Sequence, residues 1–245
     1  MNITQIRRRI SQRFGLWFGV WQLAVWLNKK MGFHSVSNSP LFGDDSVEFT
    51  TMMNSIRHRT LVTQDKCFLL DRCLRHSLRV TTGATAVAEC GVFKGGTAFL
   101  LASILKSENP ELTLHLFDTF KGIPESSDCD MTAVGDLANT SLESVQDFLR
   151  PFPVVVFHPG FIPNTFAGLR EQRYCFVHVD VDNYRSTLSC CEYFYPRLLP
   201  GGMLICDDYL LPGAKKAVND FFATKPEVPI PMRSGQCLIV RGNQP

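Results

Sequence analysis

Carboxylates dominate the residues of this chain that could do chemistry, and they gather in a few short runs. Glu89 opens Glu89-Cys90-Gly91-Val92-Phe93-Lys94-Gly95-Gly96-Thr97. Its glycines let a backbone turn tightly and approach a ligand closely. The spacing is not G-x-G-x-x-G, and a leading acid suits a cationic or hydroxyl-bearing ligand better than a pyrophosphate, which wants donors. Asp118 follows in Phe117-Asp118-Thr119-Phe120-Lys121-Gly122-Ile123-Pro124. An acid about 20–30 residues after a glycine-rich turn is placed to accept both ribose hydroxyls of an adenosine-type cofactor. Two further runs, Val179-Asp180-Val181-Asp182-Asn183-Tyr184 and Cys206-Asp207-Asp208-Tyr209, carry paired acids. Hard carboxylate oxygens gathered in one place suit Mg²⁺, and without a cation they repel one another and hold protons. The competing structural role for Asp182 is to cap the helix that follows it.

Elements of two kinds must position these residues. Short apolar runs at Ala86 to Ala88, Leu112 to Phe117, Val154 to Phe157, Cys175 to Val179 and Met203 to Cys206 read as strands. Helical patterns at Thr97 to Lys106, Ser141 to Leu149, Ser186 to Tyr195 and Ala214 to Ala223 alternate with them. Strands apolar on both sides and separated by helices predict an α/β fold with a parallel sheet covered on both faces. Ligands of such sheets bind beyond the carboxyl ends of the strands, where Glu89, Asp118, His158, Asp180 and Asp207 stand. Pro229 to Arg241, with Ser234-Gly235 between two short runs, reads as an edge hairpin. The organisation expected is an apolar, basic segment at 1–33, a polar linker or cap at 34–60, and one catalytic domain over 61–245.

Composition sets outer limits. At 245 residues with 45% hydrophobic content, the chain builds its own core, and disorder is excluded. Of the net charge of +2, six positive charges (Arg7, Arg8, Arg9, Arg13, Lys29, Lys30) precede the first acid, Asp44, so the rest of the chain carries −4. An acidic body argues against nucleic acid as a partner. Nine cysteines without C-x-x-C or zinc-like spacing read as reduced, mostly buried thiols, hence a cytoplasmic setting. Residues 14–27, with Trp17, Trp21 and Trp26, would form a helix of about 21 Å, short of a roughly 30 Å bilayer core. Three readings stay open for it: peripheral membrane contact, packing on the domain or between copies of a homo-oligomer, and a cleaved or targeting leader.

In order and spacing these motifs resemble the macrocin O-methyltransferase (TylF-type) family of S-adenosylmethionine-dependent sugar O-methyltransferases. The similarity covers Glu89 to Val92 with Gly95-Gly96, and Asp118 to Phe120 with Gly122-Ile123-Pro124. It continues through Pro159-Gly160-Phe161, Asp180 to Thr187, and Pro200-Gly201-Gly202 leading to Asp207-Asp208-Tyr209. Val181 and Asn183 stand where the family usually has Gly and Leu. The resemblance implies a class I, Rossmann-like methyltransferase fold, a seven-stranded, mostly parallel sheet with an antiparallel last strand. It implies that S-adenosyl-L-methionine lies against Glu89, Gly91, Val92, Gly95, Thr97, Thr119, Phe120 and Gly160 with its ribose on Asp118, and that Asp180, Asp207 and Asp208 hold Mg²⁺. The acceptor it implies is a small molecule or glycan bearing a sugar hydroxyl.

Methyl transfer is an in-line attack of oxygen on a sulfonium methyl, so donor and acceptor must be aligned and the hydroxyl must lose its proton. Asp180 is the first candidate for ligand and base, followed by Asp182 and His158. His178, alternating away from the neighbours of Asp180, reads as a core or surface residue rather than a base. Two other functions remain on the sequence: a metal-dependent glycosyltransferase using Asp180-Val181-Asp182 for a nucleotide-sugar, and a non-catalytic scaffold with this fold.

Overall fold

The computed structural model describes residues 47–243. The segment 1–33, and with it the membrane, packing and leader readings of residues 14–27, lies outside the described residues. Among the described residues no helix is long and apolar enough to cross a membrane.

The first element is helix α1 (Val47–Ile56), which falls inside the expected linker. Phe49, Met53 and Ile56 recur at helical spacing and are buried, a pattern that the polar composition of 34–60 conceals. Helix α2 (Gln64–Val80) follows, with Asp65 in its first turn and Arg79 in its last, the signs its macrodipole favours. Its buried stripe of Cys67, Leu70, Leu74 and Ser77 faces the core. Full burial of Leu70 and Leu74 stabilises by about 1.5–3 kcal/mol each.

From there strands and helices alternate as the sequence predicts: β1 (Ala86–Cys90), α3 (Gly96–Glu108), β2 (Thr113–Asp118), α4 (Leu142–Leu149), β3 (Val155–Pro159) and β4 (Tyr174–Val179). They continue with α5 (Tyr184–Phe194), β5 (Leu198–Cys206), α6 (Pro212–Phe222), β6 (Ile230–Pro231) and β7 (Cys237–Val240). The sheet runs β3-β2-β1-β4-β5-β7-β6, parallel except for β7, which is antiparallel to both its neighbours. Every residue of β1 and β4 is buried, because helices cover both faces.

Side-chain alternation sorts the strands into two cores. Val87, Phe176 and Ile205 pack with α1 to α4, while Ala88, Val177 and Leu204 pack with α5 and α6. Glu89, His178 and Asp207 keep the parity of the first set and therefore point toward α2. The sheet order reverses between β1 and β4, where β1 pairs β2 on one side and β4 on the other. Crevices at such a switch point are the ligand sites of doubly wound sheets.

Candidate active site

Strand register puts the key residues in one row. Cys90 is level with Phe117 and Val179, and Val179 with Cys206, so Gly91, Asp118, Asp180 and Asp207 each come next at the same edge. The ladder extends one step past the strands: the Gly91 N–H donates to the Phe117 carbonyl (2.8 Å), Asp180 to Cys90 (2.7 Å) and Asp207 to Val179 (2.8 Å). Gly91 sits at φ +86°, and a Cβ there would lie 1.7 Å from the Asp180 carbonyl oxygen, so only glycine lets β1 and β4 close on each other here.

These row ends open into a cavity of about 210 Å³. On one side Gly91, Val92, Thr97, Asp118, Thr119 and Gly160 line it. Asp118 braces the turn after β1: its Oδ2 accepts the N–H groups of Val92 (2.6 Å) and Phe93 (2.9 Å), and its Oδ1 accepts that of Phe120 (2.7 Å). A carboxylate offers about four acceptor sites, so three backbone donors leave room for a further hydroxyl.

On the other side stand Asp180, Asp182, Asp207 and Asp208. Donor atoms of Asp180, Asp207 and Asp208 lie within 4.8 Å of one another. Burial, then the charges of Asp207, Asp208 and Asp182, raises Asp180 well above the carboxylate range. Burial, then Asp208, lifts Asp182 to about 8. Asp208 is raised by burial and by Asp207, and its buried Oδ2 has no hydrogen-bond partner. Asp207 goes the opposite way: burial would push it up, but His178 and then Lys66 outweigh that and hold it below the usual value.

Lys66 and Gln236, which sequence reasoning did not name, both reach Asp207. The Lys66 ammonium, from the first turn of α2, donates to Asp207 Oδ2 (2.6 Å) and to the Asp207 carbonyl (3.1 Å). Gln236, in the β6–β7 hairpin, donates from Nε2 to Asp207 Oδ1 (2.7 Å). His178 is core, as expected, but it links two acids, with Nδ1 3.0 Å from Glu89 Oε1 and Nε2 3.5 Å from Asp207 Oδ1. Burial alone would lower it, yet its carboxylate partners lift it to about 9. The paired hydrophobic parities of Glu89 and His178 on adjacent strands carry a signal for that link; no local pattern connects Lys66 to a residue 141 positions away.

Other expected site residues stand apart from the cavity. Glu89 is fully buried in the wall behind Gly91, with Oε1 toward His178 and Oε2 without a partner. Gly95 adopts the left-handed conformation before α3, with Val145 and Phe148 packed beside it, and Phe120 is buried. The nomination of His158 as base needs correction. It does not line the cavity, and its Nε2 is 2.8 Å from Nδ1 of His115, whose ring stacks on it. Burial lowers both rings, His115 to about 4, so this is a neutral pair locked in the edge of the sheet. The capping role weighed for Asp182 is also corrected: Asn183 caps α5, its Oδ1 accepting the Ser186 N–H (2.8 Å), while Asp182, at φ +62°, remains in the cavity wall.

A seven-stranded sheet of this order, with a glycine turn and an acid at neighbouring strand ends, defines a class I, S-adenosylmethionine-dependent methyltransferase. The chain belongs to the macrocin-O-methyltransferase (TylF) family, whose model matches residues 57–236, and it is an O-methyltransferase. It is 30% identical over 177 residues to the mycinamicin III 3''-O-methyltransferase of Micromonospora griseorubida, spanning 66% of this chain and 69% of that one. It is 31% identical over 150 residues to the 8-demethyl-8-(2,3-dimethoxy-alpha-L-rhamnosyl)-tetracenomycin-C 4'-O-methyltransferase of Streptomyces olivaceus, spanning 55% of this chain and 57% of that one. The solved O-methyltransferase NovP shares the fold, with a TM-score of 0.67 at 23% identity over 76% of this chain and 83% of that chain.

Proposed function

We propose that this enzyme methylates a sugar hydroxyl on a glycosylated small molecule or glycan, with Mg²⁺ held by Asp180, Asp207 and Asp208. One observation carries the reading: the braced glycine turn and the four acids open into the same cavity. The rhamnosyl group in the tetracenomycin relative's name supports a sugar acceptor. The acid cluster fits a hard divalent ion, because it offers three close oxygen donors and a buried, unpartnered Asp208 Oδ2. The donor side fits S-adenosylmethionine, with Gly91 and Gly160 in the cavity lining and spare acceptor capacity on Asp118.

When bound, the sulfonium supplies the electrophilic methyl and the cation supplies Lewis acidity toward the acceptor's oxygens. The residues of the chain do the rest. Asp118 fixes the turn against which the donor rests, and Asp180 anchors the acidic side directly opposite Gly91. Asp182 is the proton acceptor proposed, since it lines the cavity outside the three-residue ligand group. Ile123, Phe161 and Ile162 give the cavity an apolar wall.

The test is calorimetric titration of the full chain with S-adenosylmethionine and with a nucleotide-sugar, each with and without Mg²⁺, followed by turnover of Asp180→Asn. Expected are micromolar donor binding and loss of turnover in the variant with donor affinity kept. Metal-dependent nucleotide-sugar binding in place of donor binding would overturn the reading.

A further inference from the structure

Within the acid cluster Asp207 is held unlike its neighbours. Its Oδ1 is closed off by Gln236 Nε2 at 2.7 Å and His178 Nε2 at 3.5 Å. Gln236 donates a hydrogen bond while His178 stands at ion-pair distance, and both come from the sheet or its hairpin and are fully buried. That leaves Oδ2 as the oxygen Asp207 can turn toward Asp180 and Asp208, and Lys66 Nζ occupies it at 2.6 Å. Lys66 differs from the other two partners in kind. It reaches in from the first turn of α2 on a long flexible stem, it lines the cavity, and its side chain keeps 18% of its exposure. An ammonium on such a stem is a mobile point charge that can leave for water, whereas Gln236 and His178 cannot.

We propose that Lys66 is a resident counter-cation at the acid cluster, which a divalent ion must displace from Asp207 Oδ2 in order to bind. This rests on the metal reading above. Two consequences follow. Without metal, the ammonium compensates a buried charge that would otherwise stand unpaired, so the acidic strand ends keep their geometry. With metal, the ion's apparent affinity is weakened by the competition, so the first turn of α2 sets how tightly the site holds its cation.

The experiment is calorimetric titration of the full chain with Mn²⁺ and with Mg²⁺ alone, in the absence of donor and acceptor, comparing wild type with Lys66→Met and Lys66→Gln. The variants are expected to bind the ion at least about tenfold more tightly, because the competing charge is gone while the three ligands remain. In chelator, both variants are expected to melt below wild type, and saturating Mg²⁺ is expected to raise their melting temperature more than that of wild type. Equal or weaker metal binding by both variants, with wild type still binding, overturns the role of Lys66 and leaves the metal site standing. Absence of metal binding in all three proteins overturns both.

Discussion

The two walls of the cavity solve the same problem, a carboxylate at the end of a parallel strand, in opposite ways. At β2, Asp118 is satisfied by three backbone N–H groups of the chain that turns around it. At β4 and β5, four acids face one another, and burial and mutual repulsion raise Asp180, Asp182 and Asp208. Backbone donors are fixed by the fold and cost nothing further to arrange, so the first wall is finished without a ligand. The second is relieved only at Asp207, by Lys66, Gln236 and His178. Local conflict of that kind marks a site built for something that arrives later.

The contrast can be broken from either wall. Asp180→Asn should lower turnover by about 10³-fold or more, by analogy with loss of a principal electrostatic group, while donor affinity changes little. Equal losses in both would mean that the walls are not separable. Gly91→Ala should act on both at once, destabilising the protein by about 3 kcal/mol or more in denaturant unfolding, since a left-handed alanine meets the Asp180 carbonyl. An unchanged midpoint would show that the strands can part.

The pH dependence sharpens the difference. Asp182 is raised to about 8, so above its unfolded value the folded state binds the extra proton, and stability falls as pH rises toward 8. His178, lifted to about 9, contributes stability that is present below 6.5 and lost as pH rises through 9. His115, lowered to about 4, acts in the opposite sense but only below 6.5. Between about pH 6.5 and 9 the metal-free protein should therefore lose melting temperature. Asp182→Asn should recover roughly 2–4 °C at pH 8. A flat profile in wild type would contradict the assigned repulsion. The smallest effect is expected at a residue beside the site but outside the conflict: Asn183→Ala should cost about 0.5–2 kcal/mol through its lost cap, read as a lower denaturant midpoint at unchanged donor affinity.

Much of the site was legible before any coordinates. Apolar runs bounded by turns located β1 to β4 to within two residues and only the carboxyl half of β5, and the acids at their ends proved to be neighbours, because parallel strands in one register deliver their ends to one edge. His158 misled for the same reason that the others did not. It was placed just past a strand, but it lies inside β3, level with Phe117 and one step short of Asp118, on the outermost strand, and its ring turns to His115 rather than to the crevice. The linker-or-cap reading of 34–60 did not single out α1, since its three buried residues, Phe49, Met53 and Ile56, declare a helix only when something packs against them.

The sequence by itself determined the alternation of strands and helices, the glycine turn and the order of the acids, because these depend on local periodicity and on backbone freedom at single residues. Only the tertiary structure decided which acid is charged and which is strained. That depends on distances between strand ends, on burial, and on an ammonium and an amide brought to Asp207 from opposite ends of the chain, none of which any local pattern encodes.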